Sequence, residues 1–164
     1  MPDPNPASRR PETPEPEKAA LAARRAVMAL CGEARPEELR HALAQLGATD
    51  EPEDLRQPET GLVMTRGRIG GDGRPFNLGE ATVTRATVRL SNGETGFAYH
   101  LGRDRAKARL AATLDALWQV PARRAAVEAA LRPVAARRDE ERAAEARRIA
   151  ATRVTFFTMA RGED

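Results

Sequence analysis

The stretch that decides the fold runs Glu80-Ala81-Thr82-Val83-Thr84-Arg85-Ala86-Thr87-Val88-Arg89-Leu90-Ser91-Asn92-Gly93-Glu94-Thr95-Gly96-Phe97-Ala98-Tyr99-His100-Leu101. Two runs rich in Thr, Val and aromatic residues flank Asn92-Gly93. Asn-Gly between alternating apolar runs is the strongest short hairpin signal. Residues 80–90 and 95–101 therefore read as antiparallel strands. With Asn92-Gly93 as a two-residue loop, Ser91 faces Glu94. Val88 then faces Phe97, Ala86 faces Tyr99 and Thr84 faces Leu101. That face is mostly apolar, so pattern and turn agree on the register. The other face sets Arg89 opposite Gly96, Thr87 opposite Ala98 and Arg85 opposite His100.

Upstream, residues 61–69 alternate as a further strand, and 70–75 (Gly-Gly-Asp-Gly-Arg-Pro) read as the turn between them. Before residue 59 the period changes from 2 to 3.6. Leu21, Met28 and Cys31 share one helical face, and Gly32 lies near its end. Pro36 suits the first turn of a second helix carrying Leu39, Leu43 and Leu46, which Gly47 closes. The two helices read as a hairpin. Downstream, Gly102 breaks the last strand and Asp104 is a suitable N-cap. Leu110, Leu114 and Leu117, with Ala111 and Trp118, form the strongest apolar stripe in the chain, fitted to cover the sheet. Pro121 opens another helix with Val127, Leu131 and Val134, and 136–152 continue as a weakly amphipathic one. Residues 154–164 return to β-type composition. The expected fold is α+β, an antiparallel sheet of at least three strands packed against helices. A helical hairpin precedes the sheet and a helical segment follows it. One domain is expected over 17–164: helices over 17–47, sheet over 59–102, helices over 103–153 and an extended tail over 154–164. Residues 1–16 carry six of the 12 prolines and no large apolar side chain beyond Met1, so disorder is expected there.

Composition narrows the function classes. The 164 residues include 27 Lys+Arg against 24 Asp+Glu, a net charge of +3. All but Lys18 and Lys107 of the basic residues are arginines. Residues 103–164 hold 14 basic and 9 acidic side chains, a mild bias suited to an anionic partner. It is not the dense stripe of a dedicated nucleic-acid binder. No apolar run approaches the roughly 20 residues of a membrane span, and the first thirty residues show no signal segment. A single cysteine excludes an internal disulfide, and two histidines give no basis for a His-rich metal site. A cytoplasmic chain is expected.

Motifs for chemistry are sparse. Gly67, Gly70, Gly71 and Gly73 lack the Gly-Lys-Ser/Thr ending of a P-loop and the spacing of a dinucleotide fingerprint. Gly67-Arg68-Ile69-Gly70 has the form of a KH loop but lies between strands rather than helices. Ser8, Ser91 and Cys31 have no base beside them in sequence, and Cys31 sits on an apolar stripe, as a core residue does. Glu80 and Asp115 are not spaced as an acid/base pair. What remains are candidate anion or partner contacts. Arg85 and His100, as cross-strand neighbours, would offer convergent donors. Arg66 and Arg68 extend the patch from the first strand, and Arg103 flanks a helix start. In the tail, Phe156, Phe157 and Met159 are candidates for partner docking, since adjacent phenylalanines on an extended chain point to opposite faces. No catalytic and no metal-binding residue is assigned.

Read together, these segments resemble a known family. The ordered set comprises Glu59-Thr60-Gly61-Leu62-Val63, Arg68-Ile69-Gly70-Gly71-Asp72-Gly73, Gly79-Glu80-Ala81-Thr82-Val83-Thr84-Arg85-Ala86 and Asn92-Gly93-Glu94-Thr95-Gly96. Leu101-Gly102-Arg103-Asp104, Leu114-Asp115-Ala116-Leu117 and the ending Arg153-Val154-Thr155-Phe156-Phe157-Thr158-Met159 complete it. Over about 59–163 the chain resembles the G subunits of the bacterial carbon–phosphorus lyase system. The resemblance implies a non-catalytic, obligatory subunit of the core complex of organic phosphonate catabolism. That complex supports transfer of an alkylphosphonate to the ribose C1 of ATP, with release of adenine. ATP would be a substrate of the complex, and no cofactor is implied in this chain. The implied partners are the H, I and J subunits, with I the direct one, and the L subunit transiently. Two other classes stand beside it from composition alone: a basic RNA- or DNA-binding module, against which the sequence shows no aromatic stacking platform, and an independent phosphotransferase or hydrolase.

Overall fold

A computed structural model describes residues 14–47, 51–70 and 72–152. In chain order, α1 spans Glu15–Glu33, α2 Pro36–Gln45, β1 Glu53–Arg68, β2 Pro75–Arg89, β3 Thr95–Leu101 and α3 Arg105–Gln119. A 3-10 turn at Pro121–Arg123 leads into α4 (Arg124–Ala130), and α5 (Arg132–Ala151) follows. The strands form a three-stranded antiparallel sheet in the order β1-β2-β3. The α+β architecture read from the sequence is thus present.

The helix signals act as their chemistry requires. Pro36 stands in the first turn of α2, and the Glu38 carboxylate accepts the Arg35 N–H at 2.7 Å. Asp104 caps α3 by accepting the Lys107 N–H at 2.8 Å. Helix α1 begins at Glu15, just inside the Pro-rich stretch, with Pro16 in its first turn, where a missing N–H has no consequence.

The core is built around α3. Ala108, Ala111, Ala112, Leu114, Ala116, Leu117 and Trp118 are all buried, because one side of α3 packs on β2 and β3 and the other meets α1, α2 and α4. A helix buried nearly all round needs small side chains where backbones approach, hence the alanines. Cys31 is fully buried against this core, as expected. Burial pushes its thiol up to about 12, so it is no thiolate nucleophile at neutral pH. Helix α5 is tied to the α1–α2 corner by Arg137, whose guanidinium donates to Glu38 at 2.7 and 2.9 Å, and by the Arg138–Glu33 ion pair.

The hairpin register differs from the sequence reading by one residue. Leu90 N–H donates to the Glu94 carbonyl at 2.9 Å, so the loop is Ser91-Asn92-Gly93, a three-residue loop with Gly93 at φ +90°. That form is the next commonest hairpin connection after the two-residue one, with glycine at the left-handed position. Thr84, Ala86 and Val88 therefore pair with His100, Ala98 and Gly96 on the covered face. Val83, Arg85 and Thr87 pair with Leu101, Tyr99 and Phe97 on the open face. A one-residue slip moves every β3 side chain to the other side of the sheet. Gly96 enforces this arrangement: a Cβ there would lie 2.0 Å from the Ala112 carbonyl oxygen and 2.5 Å from the Ala116 nitrogen of α3. Only glycine lets the helix lie that close.

The strands also run longer than expected. β1 starts at Glu53 rather than 61, and β2 at Pro75 rather than 80. Pro58 lies inside β1 at a register irregularity between Arg56 and Glu59, on the strand at the sheet's edge. An edge strand with a bulge tolerates the missing N–H.

Candidate subunit interface

The charged candidates do not converge. Arg85 lies on the open face opposite Tyr99, and its Nε donates to Glu59 Oε1 at 2.6 Å. Arg56 donates to the same oxygen at 2.6 Å. Hydrogen bonds from Arg56 and then Arg85 hold the Glu59 carboxyl below its ordinary range. His100 faces the other way, opposite Thr84 and buried. The expected Arg85–His100 pair is therefore corrected: the slipped register places them on opposite faces. His100 Nδ1 lies 3.1 Å from the Leu101 carbonyl, and its Nε2 finds no partner among the described residues. Burial, then the nearby Lys107 charge, lowers its pKa, while Asp104 opposes them.

Arg66 and Arg103 are exposed and form no ion pair among the described residues. Arg68 is exposed and donates to the Gly73 carbonyl at 3.2 Å, closing its own turn. The structure thus sets Arg66 and Arg68 at the end of the β1–β2 ribbon, Arg85 in the middle of the sheet and Arg103 beyond β3. Phe156, Phe157 and Met159 lie outside the described residues. No group of three or more His, Cys, Asp or Glu side chains gathers as a metal site among the described residues. Within the same residues, no helix is long and apolar enough to cross a membrane.

What stands out is apolar surface. Helices cover one face of the sheet; the other carries Phe97, Tyr99 and Leu101, exposed by 54, 58 and 75%. Beside them Glu59, Gly61, Val63, Val83, Arg85 and Tyr99 line a shallow concavity of about 160 Å³. The β1–β2 ribbon adds Phe76 and Leu78 on this side and Leu62 and Met64 on the other, and Ile69 stands at its tip 76% exposed. Clustered apolar side chains left in water mark interaction surfaces. The expected register turns Phe97, Tyr99 and Leu101 toward the helices, and the observed one turns them outward. On the open face the guanidinium that would meet a phosphate is already held by Glu59, so this surface suits protein rather than a nucleic-acid strand.

The edges of the sheet are treated differently. The Phe97 N–H on β3 donates to the buried Asp115 carboxylate at 2.9 Å, and Gln119 Nε2 donates to the Thr95 carbonyl at 2.7 Å. Arg24 of α1 completes the Asp115 site with bonds of 2.8 and 2.7 Å from Nε and Nη2. Asp115, unassigned from sequence, is thus a buried acceptor that takes up the Phe97 N–H at one sheet edge. Its place among alanines and leucines in α3 is the sequence signal for that role.

Comparison with known proteins agrees with a subunit role. Residues 22–162 match the family model of the phosphonate metabolism protein PhnG. The chain is also similar to the alpha-D-ribose 1-methylphosphonate 5-triphosphate synthase subunit PhnG of Rhizobium meliloti (strain 1021). The two are 58% identical over 148 residues, covering 89% of this chain and 94% of the relative.

Proposed function

Because the chain belongs to the PhnG family of phosphonate metabolism proteins, we propose that it is a non-catalytic, obligatory subunit of the complex that transfers an alkylphosphonate to the ribose C1 of ATP, releasing adenine. The observation that carries this reading is the 58% identity, over nearly the whole of both chains, to a synthase subunit. The geometry supports it: extensive uncovered apolar surface, a neutralised Arg85 and a buried Cys31 suit assembly better than chemistry by this chain alone. The partners in this reading are the H, I and J subunits, with I in direct contact and L joining transiently. We place the complex in the cytoplasm, where ATP is available.

The test is genetic and biochemical. A strain lacking this chain should fail to grow on methylphosphonate as sole phosphorus source and should recover when the gene is restored. The purified chain alone should release no adenine from ATP and methylphosphonate. Normal growth of the deletion strain, or turnover by the isolated chain, would overturn the reading.

A further inference from the structure

β3 pairs only with the Val83–Arg89 part of β2. Beyond it, residues 62–68 of β1 and 75–82 of β2 continue as a two-stranded arm. A two-stranded hairpin is at best marginally stable in water without packing on a face. This one is apolar on both faces. Leu62 and Met64 share one side, paired with Thr82 and Glu80. Alternation along β1 puts Gly67 on the other side, and there Leu78 and Phe76 close over it: a Cβ on Gly67 would lie 2.7 Å from Leu78 Cδ1 and 3.6 Å from Phe76 Cζ. Leu62, Met64 and Leu78 are 60, 52 and 64% exposed. An element that merely rested on a neighbour would need only one such face.

We propose that this arm is an insertion element that enters an apolar groove on a different subunit, with acidic side chains at the groove's rim. The inference rests on the complex-subunit reading above. Two features specify the occupant. The first is area: the exposed parts of the arm's apolar side chains and of the adjoining Phe97, Tyr99 and Leu101 come to roughly 900 Å², taking about 150–250 Å² for a large side chain. One partner's share of a standard protein interface is about 800 Å². The second is charge. Arg66, Arg68 and Arg74 surround the tip against Asp72 and Glu80. A second copy docking symmetrically would set these arginines against their own kind. A partner with a rim of carboxylates would not.

The test uses the tagged full chain co-expressed with the other subunits of the complex. Leu62→Ser/Met64→Ser alters one face of the arm, Phe76→Ser/Leu78→Ser the other, and Arg66→Glu/Arg68→Glu the tip. Each face variant is expected to lower co-purified partner at least tenfold. The melting temperature of the isolated chain should stay within a few degrees, since none of these side chains belongs to the buried core. The tip variant is expected to weaken capture and flatten its dependence on salt. Full capture by either face variant would overturn insertion. So would an isolated wild-type chain that is dimeric and becomes monomeric in the face variants, since the occupant would then be a second copy. Failure of the wild-type chain to capture any subunit would instead remove the complex reading, and the inference with it.

Discussion

Gly96→Ala tests the register on which the open face depends. In the observed pairing Gly96 lies under α3, and the new Cβ would sit 2.0 Å from the Ala112 oxygen and 2.5 Å from the Ala116 nitrogen. Both atoms are backbone, so no side-chain rotation relieves the contact. Ordinary carbon–oxygen contact is about 3.3 Å, so α3 must retreat by roughly 1.3 Å from the sheet. Its opposite side is packed on α1, α2 and α4, which leaves little room for the shift. Overpacking of this kind costs about 1–3 kcal/mol, sometimes more, and this site belongs at the upper end. The gain from replacing glycine in a strand, about 0.5–1 kcal/mol, opposes it. The expected net loss is about 2 kcal/mol or more, a fall in melting temperature of roughly 5–8 °C at this chain length. Trp118, the single tryptophan and 3% exposed, reports the transition in a urea titration. The alternative register, with Gly96 opposite Arg89 on the open face, demands the opposite sign, because alanine there meets nothing and adds strand propensity. A Gly96→Ala variant as stable as wild type, or more so, would refute the packing described here.

Two further expectations follow from buried polar groups. Asp115→Ala strands the Phe97 N–H and the Arg24 guanidinium, and should cost about 3 kcal/mol, moderated because the Arg24 side chain is 31% exposed and can rehydrate; the Arg24→Ala/Asp115→Ala double variant should be milder than the sum of the singles in urea titrations, and strict additivity would show that the pair is not coupled. His100 has a folded-state pKa below its unfolded value near 6.5, so its contribution is intact above that pH and falls as pH drops below it, when the unfolded chain takes the proton first. His100→Gln should flatten the decline in melting temperature between pH 7 and 5, and an unchanged slope would remove His100 as its source.

The helices were legible because their signals are local. Pro36, Asp104 and the Leu110–Leu114–Leu117 spacing each decide a turn or a face without reference to distant residues. The register was not legible, for two reasons. Asn92-Gly93 serves a two-residue loop and also the last two positions of a three-residue one. Normally the apolar face then decides, but here both faces of β3 qualify: Gly96, Ala98 and His100 are small or adaptable, while Phe97, Tyr99 and Leu101 look like core. The rule that apolar alternation marks the buried face assumes one chain in water. A face shaped for another subunit breaks it. The start of β1 was hidden for a related reason, since Pro58 and the charges around it show no strand alternation and are tolerated only because β1 is an edge with a bulge. The anion candidates rest on charge type and on the expected register, and neither reveals a competing carboxylate. Sequence could not show that Glu59, twenty-six residues from Arg85, would be its partner.

The two sheet edges connect these observations. An unpaired edge invites association with any other strand. At Thr95 and Phe97 of β3 that invitation is withdrawn by a glutamine and by a buried carboxylate that an arginine holds, drawn from two helices. Burying a charge is unfavourable unless it is fully paired, and Asp115 is paired on every side available to it. Beyond Asp54, held by Arg109 at 2.8 Å, nothing comparable among the described residues closes β1, whose length past residue 61 carries the exposed arm. Among the described residues, protection where the sheet meets its own helices, and none where it projects from them, is the pattern expected if the free chain must avoid strand pairing at one end and accept a defined neighbour at the other. It also separates the roles of two parts of one β3 residue: the Phe97 backbone belongs to the fold through Asp115, while the Phe97 side chain, with the residue more than half exposed, faces outward with Tyr99 and Leu101.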